Sequence, residues 1–296
     1  MQRAIFRQLD DQEGLVEMLG RLGFALLITG DYTRAVPLFE ECLDWTRNAR
    51  HFWLMAWHLK QLGWAAYEQG DYAKAKPLHE ESLALFLELG DKRNVAWALS
   101  QTSSVALYQN DWERAISLSE DGLALFRELE DKSGIARALG TLGWVALQQN
   151  AIERAISLFE QSLEIYCQLG DKRDIAYLIE AFAAACARAP QVVIAAQRTA
   201  RLFGAAAALR DAIGVRLPPS DRSLYEPYLA AAHAQLDEAA FSAAWAEGEV
   251  LALDEAISEA LNHSGSEPAE IAARGVASAD SHFQRLSGSA VVVDRA

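Results

Sequence analysis

The chain has 296 residues, of which 51% are hydrophobic and 23% charged, with a net charge of −14. This composition excludes a disordered chain, and so acidic a surface repels nucleic-acid phosphates and anionic lipid over most of its area. No apolar run reaches the roughly 20 residues of a membrane span, and Cys42, Cys167 and Cys186 show no CxxC spacing, so the expected setting is a reducing cytoplasm with no membrane partner.

Residues 1–10 (MQRAIFRQLD) read as a lead-in, with charges where a signal peptide needs an apolar core. Length alone suggests about two domains, but residues 11–212 form an array that grows by repetition. "GDYTRAVPLFEECL" starts at Gly30, "GDYAKAKPLHEESL" at Gly70, "NDWERAISLSEDGL" at Asn110 and "NAIERAISLFEQSL" at Asn150, a period of 40 residues. Aligned columns follow: Gly23, Gly63, Ser103 and Gly143; Ala35, Ala75, Ala115 and Ala155; Leu38, Leu78, Leu118 and Leu158; Leu43, Leu83, Leu123 and Leu163.

Apolar residues recur at helical intervals within each unit. Gly or Asn stands where a helix must end in a left-handed residue. The aspartate that follows, Asp31, Asp71 or Asp111, is suited to cap the next helix. Small residues at the Gly63 and Ala75 columns let two antiparallel helices approach closely. The loops "LGDKR", "LEDKS" and "LGDKR" at 89–93, 129–133 and 169–173 end the second helix and start the next pair. Each unit is therefore a helical hairpin, and because one hairpin cannot bury its apolar face alone, the units must stack.

The fifth unit is degenerate. Ala195 and Phe203 keep the register, but Pro190 replaces the Gly-Asp turn. Residues 213–262 form a helical cap of a different pattern. Pro218-Pro219 marks a loop, and Ser223 with Glu226 fits a capping box that leaves Pro227 in the first turn. Shorter helices follow around 237–247 and 253–262, the last with Ala252 where a Ser or Thr cap is expected, so this helix is expected to fray. Residues 263–296 read as a disordered tail.

The repeat resembles the tetratricopeptide family, whose pattern W-x2-L-G-x2-Y…A-x3-F…P is met at Leu62-Gly63, Ala75, Phe39 and Phe159. It departs from that pattern in having Leu59, Leu99 and Leu139 for Trp, Leu26, Ala66, Ala106 and Ala146 for Tyr, and a period of 40 against 34. The resemblance implies an all-α, right-handed α-solenoid with a C-terminal helical cap. The segments "AAAALRDAIG…LPP", "FSAAWAEG" at 241–248 and "LDEAISEAL" at 253–261 resemble the region closing such arrays in bacterial multidomain signal-transduction ATPases, including LuxR-type regulators. That likeness implies a sensory or scaffolding arm, with an ATPase domain in cis or in trans as one expected partner.

No catalytic constellation is present. The sequence has no G-x-x-x-x-G-K-[ST], no G-x-G-x-x-G after a strand, no H-E-x-x-H and no DNA-reading helix-turn-helix. His51 and His58, seven apart, could share a helix face, but surface or packing roles are the plainer reading. Recurring Glu40-Glu41 and Glu80-Glu81 read as solvated faces, because a catalytic pair must converge at one place. The expectation is a non-enzymatic chain with no cofactor, no metal and no direct nucleic-acid partner.

In the family the first helices of the hairpins line the concave side. Register then places Trp57, Trp97, Arg137 and Tyr177 in one row, Phe24, Trp64, Ser104, Trp144 and Ala184 in another, and Lys60 and Ser100 between them. The candidate groove is Phe24, Trp57, Lys60, Trp64, Trp97, Ser100, Arg137, Trp144 and Tyr177. Aromatics and Arg dominate interface hot spots, so a protein or peptide is the expected occupant, and a small ligand sensed on behalf of a DNA-binding regulator is the alternative. Each ring has a second reading, in which it closes the core between repeats and reaches solvent only at its edge.

Overall fold

The computed structural model describes residues 12–188 and 192–262, and among them it contains thirteen α-helices and no strand. The lead-in, Pro190 and the tail lie outside the described residues. Helices pair as α1 (Gln12–Ile28) with α2 (Tyr32–Asn48), α3 (Phe52–Glu68) with α4 (Tyr72–Leu89), and α5 (Lys92–Tyr108) with α6 (Trp112–Glu128). They continue as α7 (Lys132–Gln148) with α8 (Ile152–Leu169) and α9 (Lys172–Cys186) with α10 (Val192–Ala212). Then come α11 (Pro219–Gln235), α12 (Glu238–Glu249) and α13 (Leu253–Leu261).

The turn column does what its chemistry predicts. Gly30, Gly70, Asn110 and Asn150 all take positive φ, between 58° and 78°, in the left-handed region that Gly and Asn tolerate. Asp31, Asp71 and Asp111 then accept the backbone N–H three residues on. The other loops repeat the device, with Asp91, Asp131 and Asp171 capping α5, α7 and α9. His51 does the same for α3 through its ring nitrogen, which gives it a structural task, while His58 is buried. Among the described residues no group of three or more His, Cys, Asp or Glu is placed to hold a metal ion.

Packing inside each hairpin is set by one pair of columns. A Cβ on Gly23 would sit 3.0 Å from Phe39, on Gly63 2.7 Å from His79, and on Gly143 2.5 Å from Phe159. Glycine on the first helix therefore makes room for a ring on the second. In the third hairpin both sides are small: Ser103 donates to the Ala115 carbonyl at 2.9 Å and lies 2.5 Å from the Ser119 hydroxyl. Either combination fills one fixed gap, as close packing requires.

The described residues divide into two compact units, the first within Met1–Leu129 with Pro218–Ser220 and the second within Glu130–Leu217 with Asp221–Ala296. The first holds hairpins α1–α6 and is cored by clusters around Phe39, Leu59, Phe86 and Leu99. In the second, Phe159 packs on Phe182 with ring centroids 5.8 Å apart, between α8 and α9. There α12 packs on α10 through two glycines: a Cβ on Gly248 would lie 1.9 Å from the Arg201 carbonyl oxygen, and one on Gly204 2.3 Å from that of Trp245. Only bare backbone permits that approach, which explains the glycine in "FSAAWAEG". Arg198 donates to the Glu259 and Ala260 carbonyls at the end of α13, and Arg201 reaches Glu247 and Glu259, each at 3.1 Å.

Two expectations for the C-terminal segment change. Helix α11 begins at Pro219, not after Ser223, so Pro227 lies inside it. Proline is well suited to a first helical position, which moves the start upstream. Helix α13 does lack a side-chain cap at Ala252, but Glu255 accepts the Ala252 N–H at 2.9 Å. That is half of a capping box, and it holds an end expected to fray.

Candidate partner-binding faces

The candidate residues fall into the two units: Phe24, Trp57, Lys60, Trp64, Trp97 and Ser100 in the first, Arg137, Trp144 and Tyr177 in the second. In the first unit Phe24, Trp57 and Trp64 form a connected patch. Phe24 on α1 lies 6.0 Å from Trp57 and 6.3 Å from Trp64, both on α3. Phe24 is 37% exposed, and Trp57, Trp64 and Trp97 are half-buried. Trp57 also packs edge-on to core Phe39 at 5.9 Å, and Trp97 edge-on to Phe126 at 5.1 Å. Each therefore has one edge in the core and one at the surface. Trp64 is fixed by its Nε1–H, which donates to Glu68 at 2.7 Å. Ser100 is buried and offers a partner no surface.

Lys60 sits beside the patch. Its ammonium donates to Asn94 Oδ1 at 2.8 Å and lies 5.7 Å from the Phe86 ring centroid. Burial pulls its pKa down to about 8, with the Asp91 carboxylate opposing the shift. Desolvation disfavours the charged form, so this cation gains from any added carboxylate. Beneath it His58 and His79 are buried, and burial pulls them down to about 4 and about 3. Both are neutral packing rings.

The second unit treats the same columns differently. Trp144 is fully buried. Its ring lies 5.6 Å from Tyr225 and 6.3 Å from Tyr228 of α11. Tyr225 also meets Tyr177 at 6.4 Å and Phe203 at 6.0 Å. Tyr228 is held by Arg188, whose guanidinium carbon lies 5.4 Å from its ring centroid. The chain's own helix thus lies across this aromatic row. Arg137 stays at the edge, partly exposed and 3.8 Å from Asp174.

Sequence reading did not find the polar anchor under α11. Glu180 and Arg210 form a two-pronged ion pair at 3.0 and 2.6 Å, each side chain 5% exposed, with Asp221 at 4.0 Å from the guanidinium. Burial pushes the Glu180 carboxyl up, and the Arg210 guanidinium opposes that shift. The carboxylate in turn raises Arg210, which stays charged. A signal existed: Glu180 occupies the register of Lys60 and Ser100, three and two repeats earlier. Its partner, however, lies thirty residues on, in the degenerate helix. The tyrosines of "YEPY" likewise stand three apart on one helix face.

The tetratricopeptide repeat family model matches residues 14–88, 69–128 and 94–168, together more than half of the chain. No curated protein sequence matches it significantly. Among solved structures, BtubC (BKLC) from P. vanneervenii is similar in fold, at 21% identity and a TM-score of 0.54, over 73% of this chain and 89% of that one. The P58(IPK) TPR domain aligns over 92% of this chain and 99% of its own, at 12% identity and a TM-score of 0.31. With stacked hairpins built on these columns, the chain belongs to the tetratricopeptide repeat family, whose repeats build scaffolds for protein–protein interaction.

Proposed function

We propose that the chain is a non-enzymatic interaction module whose working surface is the aromatic face of the first unit, and that its occupant is a partner's helix carrying aromatic residues and a carboxylate. The observation that carries this is internal. In the second unit the same repeat columns are covered by a helix that presents Tyr225 and Tyr228 to Trp144 and brings Asp221 near a cation. The first unit offers the matching rings at its surface, with Lys60 as the cation. Rings held from behind by the core lose little freedom on binding, which favours affinity. The likeness of the C-terminal segment to bacterial signalling ATPases supports a regulatory role beside such a core, and co-purification with an ATPase chain is its test.

The direct test uses the chain's own helix as probe. A synthetic peptide of residues 219–235, added to the intact protein, is expected to shift the indole N–H resonances of Trp57, Trp64 and Trp97 and to leave Trp144 unmoved. Phe24→Ser should weaken that binding at least about fivefold, as expected for a hot-spot ring. A peptide that shifts no first-unit indole ends the proposal.

A further inference from the structure

A second concave site lies away from the repeat face, between α11 and α12 of the second unit. It is a cleft of about 770 Å³, within the size range of ligand sites. Leu229, Phe241 and Trp245 form its apolar floor, and Glu226, Glu238 and Glu249 stand around it. Its rings form a strip: Phe241 and Trp245 have planes 30° apart and centroids 6.1 Å apart, and His233 continues the strip 4.5 Å from Phe241. Trp245 Nε1–H donates to Glu249 at 2.8 Å, which fixes the indole and keeps that carboxylate at the cleft. No lysine or arginine is among its described lining residues.

Flat π-faces among carboxylates, with no lysine or arginine in the described lining and with His233 paired to Glu238 at 3.1 Å, are a receptor for cations. Guanidinium groups stack on Trp and Phe faces and bind carboxylates through two parallel hydrogen bonds. We infer that the α11–α12 cleft binds an arginine-bearing segment of a partner protein, the guanidinium lying over Phe241 and Trp245 and bonding to Glu249 or Glu226. The charge of the cleft selects the occupant: Glu238 already has His233 at 3.1 Å and Glu249 accepts from Trp245, and an acidic peptide would add like charge to all three carboxylates. This site differs from the first-unit face in both position and charge preference, so either can fail without the other.

The test titrates two synthetic peptides into the full chain, one arginine-rich and amphipathic, the other with every arginine replaced by glutamate. The Trp245 indole resonance, assigned through Trp245→Phe, is the readout. The arginine peptide is expected to shift it and the glutamate peptide to leave it still. Glu226→Gln/Glu238→Gln/Glu249→Gln should weaken the arginine peptide at least tenfold. Glu13→Gln/Glu88→Gln/Glu120→Gln removes the same charge from exposed positions elsewhere and should change affinity less than twofold. Circular dichroism melts establish that both triple variants fold. Equal weakening by the two triples, binding of the glutamate peptide, or arginine-peptide binding that leaves Trp245 unmoved would each overturn the proposal.

Discussion

The two units are written in one repeat and have opposite relations to their aromatic rows. In the first, Phe24, Trp57, Trp64 and Trp97 keep edges at the surface. In the second, Trp144 is sealed under Tyr225 and Tyr228. The columns are the same; what differs is a helix from outside the repeat laid across one row. A ring at a given register is thus neither groove nor core by its own nature. It becomes one or the other according to whether the chain supplies a cover.

The largest expected effect tests that cover. Tyr225→Ala removes a ring shared by Trp144, Tyr177 and Phe203 and should cost the second unit about 3–5 kcal/mol, the usual range for a buried aromatic. Phe24→Ala, at a surface edge, should cost the first unit about 1 kcal/mol or less. Urea unfolding followed by intrinsic fluorescence measures both. Equal losses would mean that Phe24 is as much core as Tyr225 is.

Glycines sharpen the contrast at the next level. Gly248→Ala drives a methyl into the Arg201 carbonyl and should destabilise the second unit by about 3 kcal/mol, the upper end of ordinary overpacking. In the first unit Gly122 has only ordinary contacts, the nearest at 3.5 Å. Gly122→Ala should therefore stabilise that unit by about 0.5–1 kcal/mol through helix propensity alone.

The third contrast is in acid sensitivity. His58 and His79 of the first unit are held by burial at about 4 and about 3, below the usual 6.5. Between those values the unfolded chain binds more protons than the folded one, so stability is full above about pH 6.5 and falls as pH drops toward 4. Each histidine contributes up to about 1.4 kcal/mol per pH unit in that window. The second unit buries no histidine among its described residues. His79→Phe, the residue at this column in two sister repeats, should remove one proton from the dependence, read as a shallower change of urea midpoint between pH 6.5 and 4.5. An unchanged slope would show that His79 is not the titrating group.

The hairpins, their turns and their caps were legible in the sequence because they depend on local chemistry. Gly or Asn accepts positive φ in four aligned copies, at Gly30, Gly70, Asn110 and Asn150, and in the first three the next Asp reaches an N–H three residues on. Register also named the rows on which rings would stand. The fate of each ring was left to tertiary structure, since it depends on where residues 219–235 come to lie, and "YEPY" specifies a helix face without naming its neighbour. The Glu180–Arg210 pair shows the same limit. Each residue reads as an ordinary surface charge, and only the packing of α9 on α10 takes both out of water together, where neither could stay ionised alone.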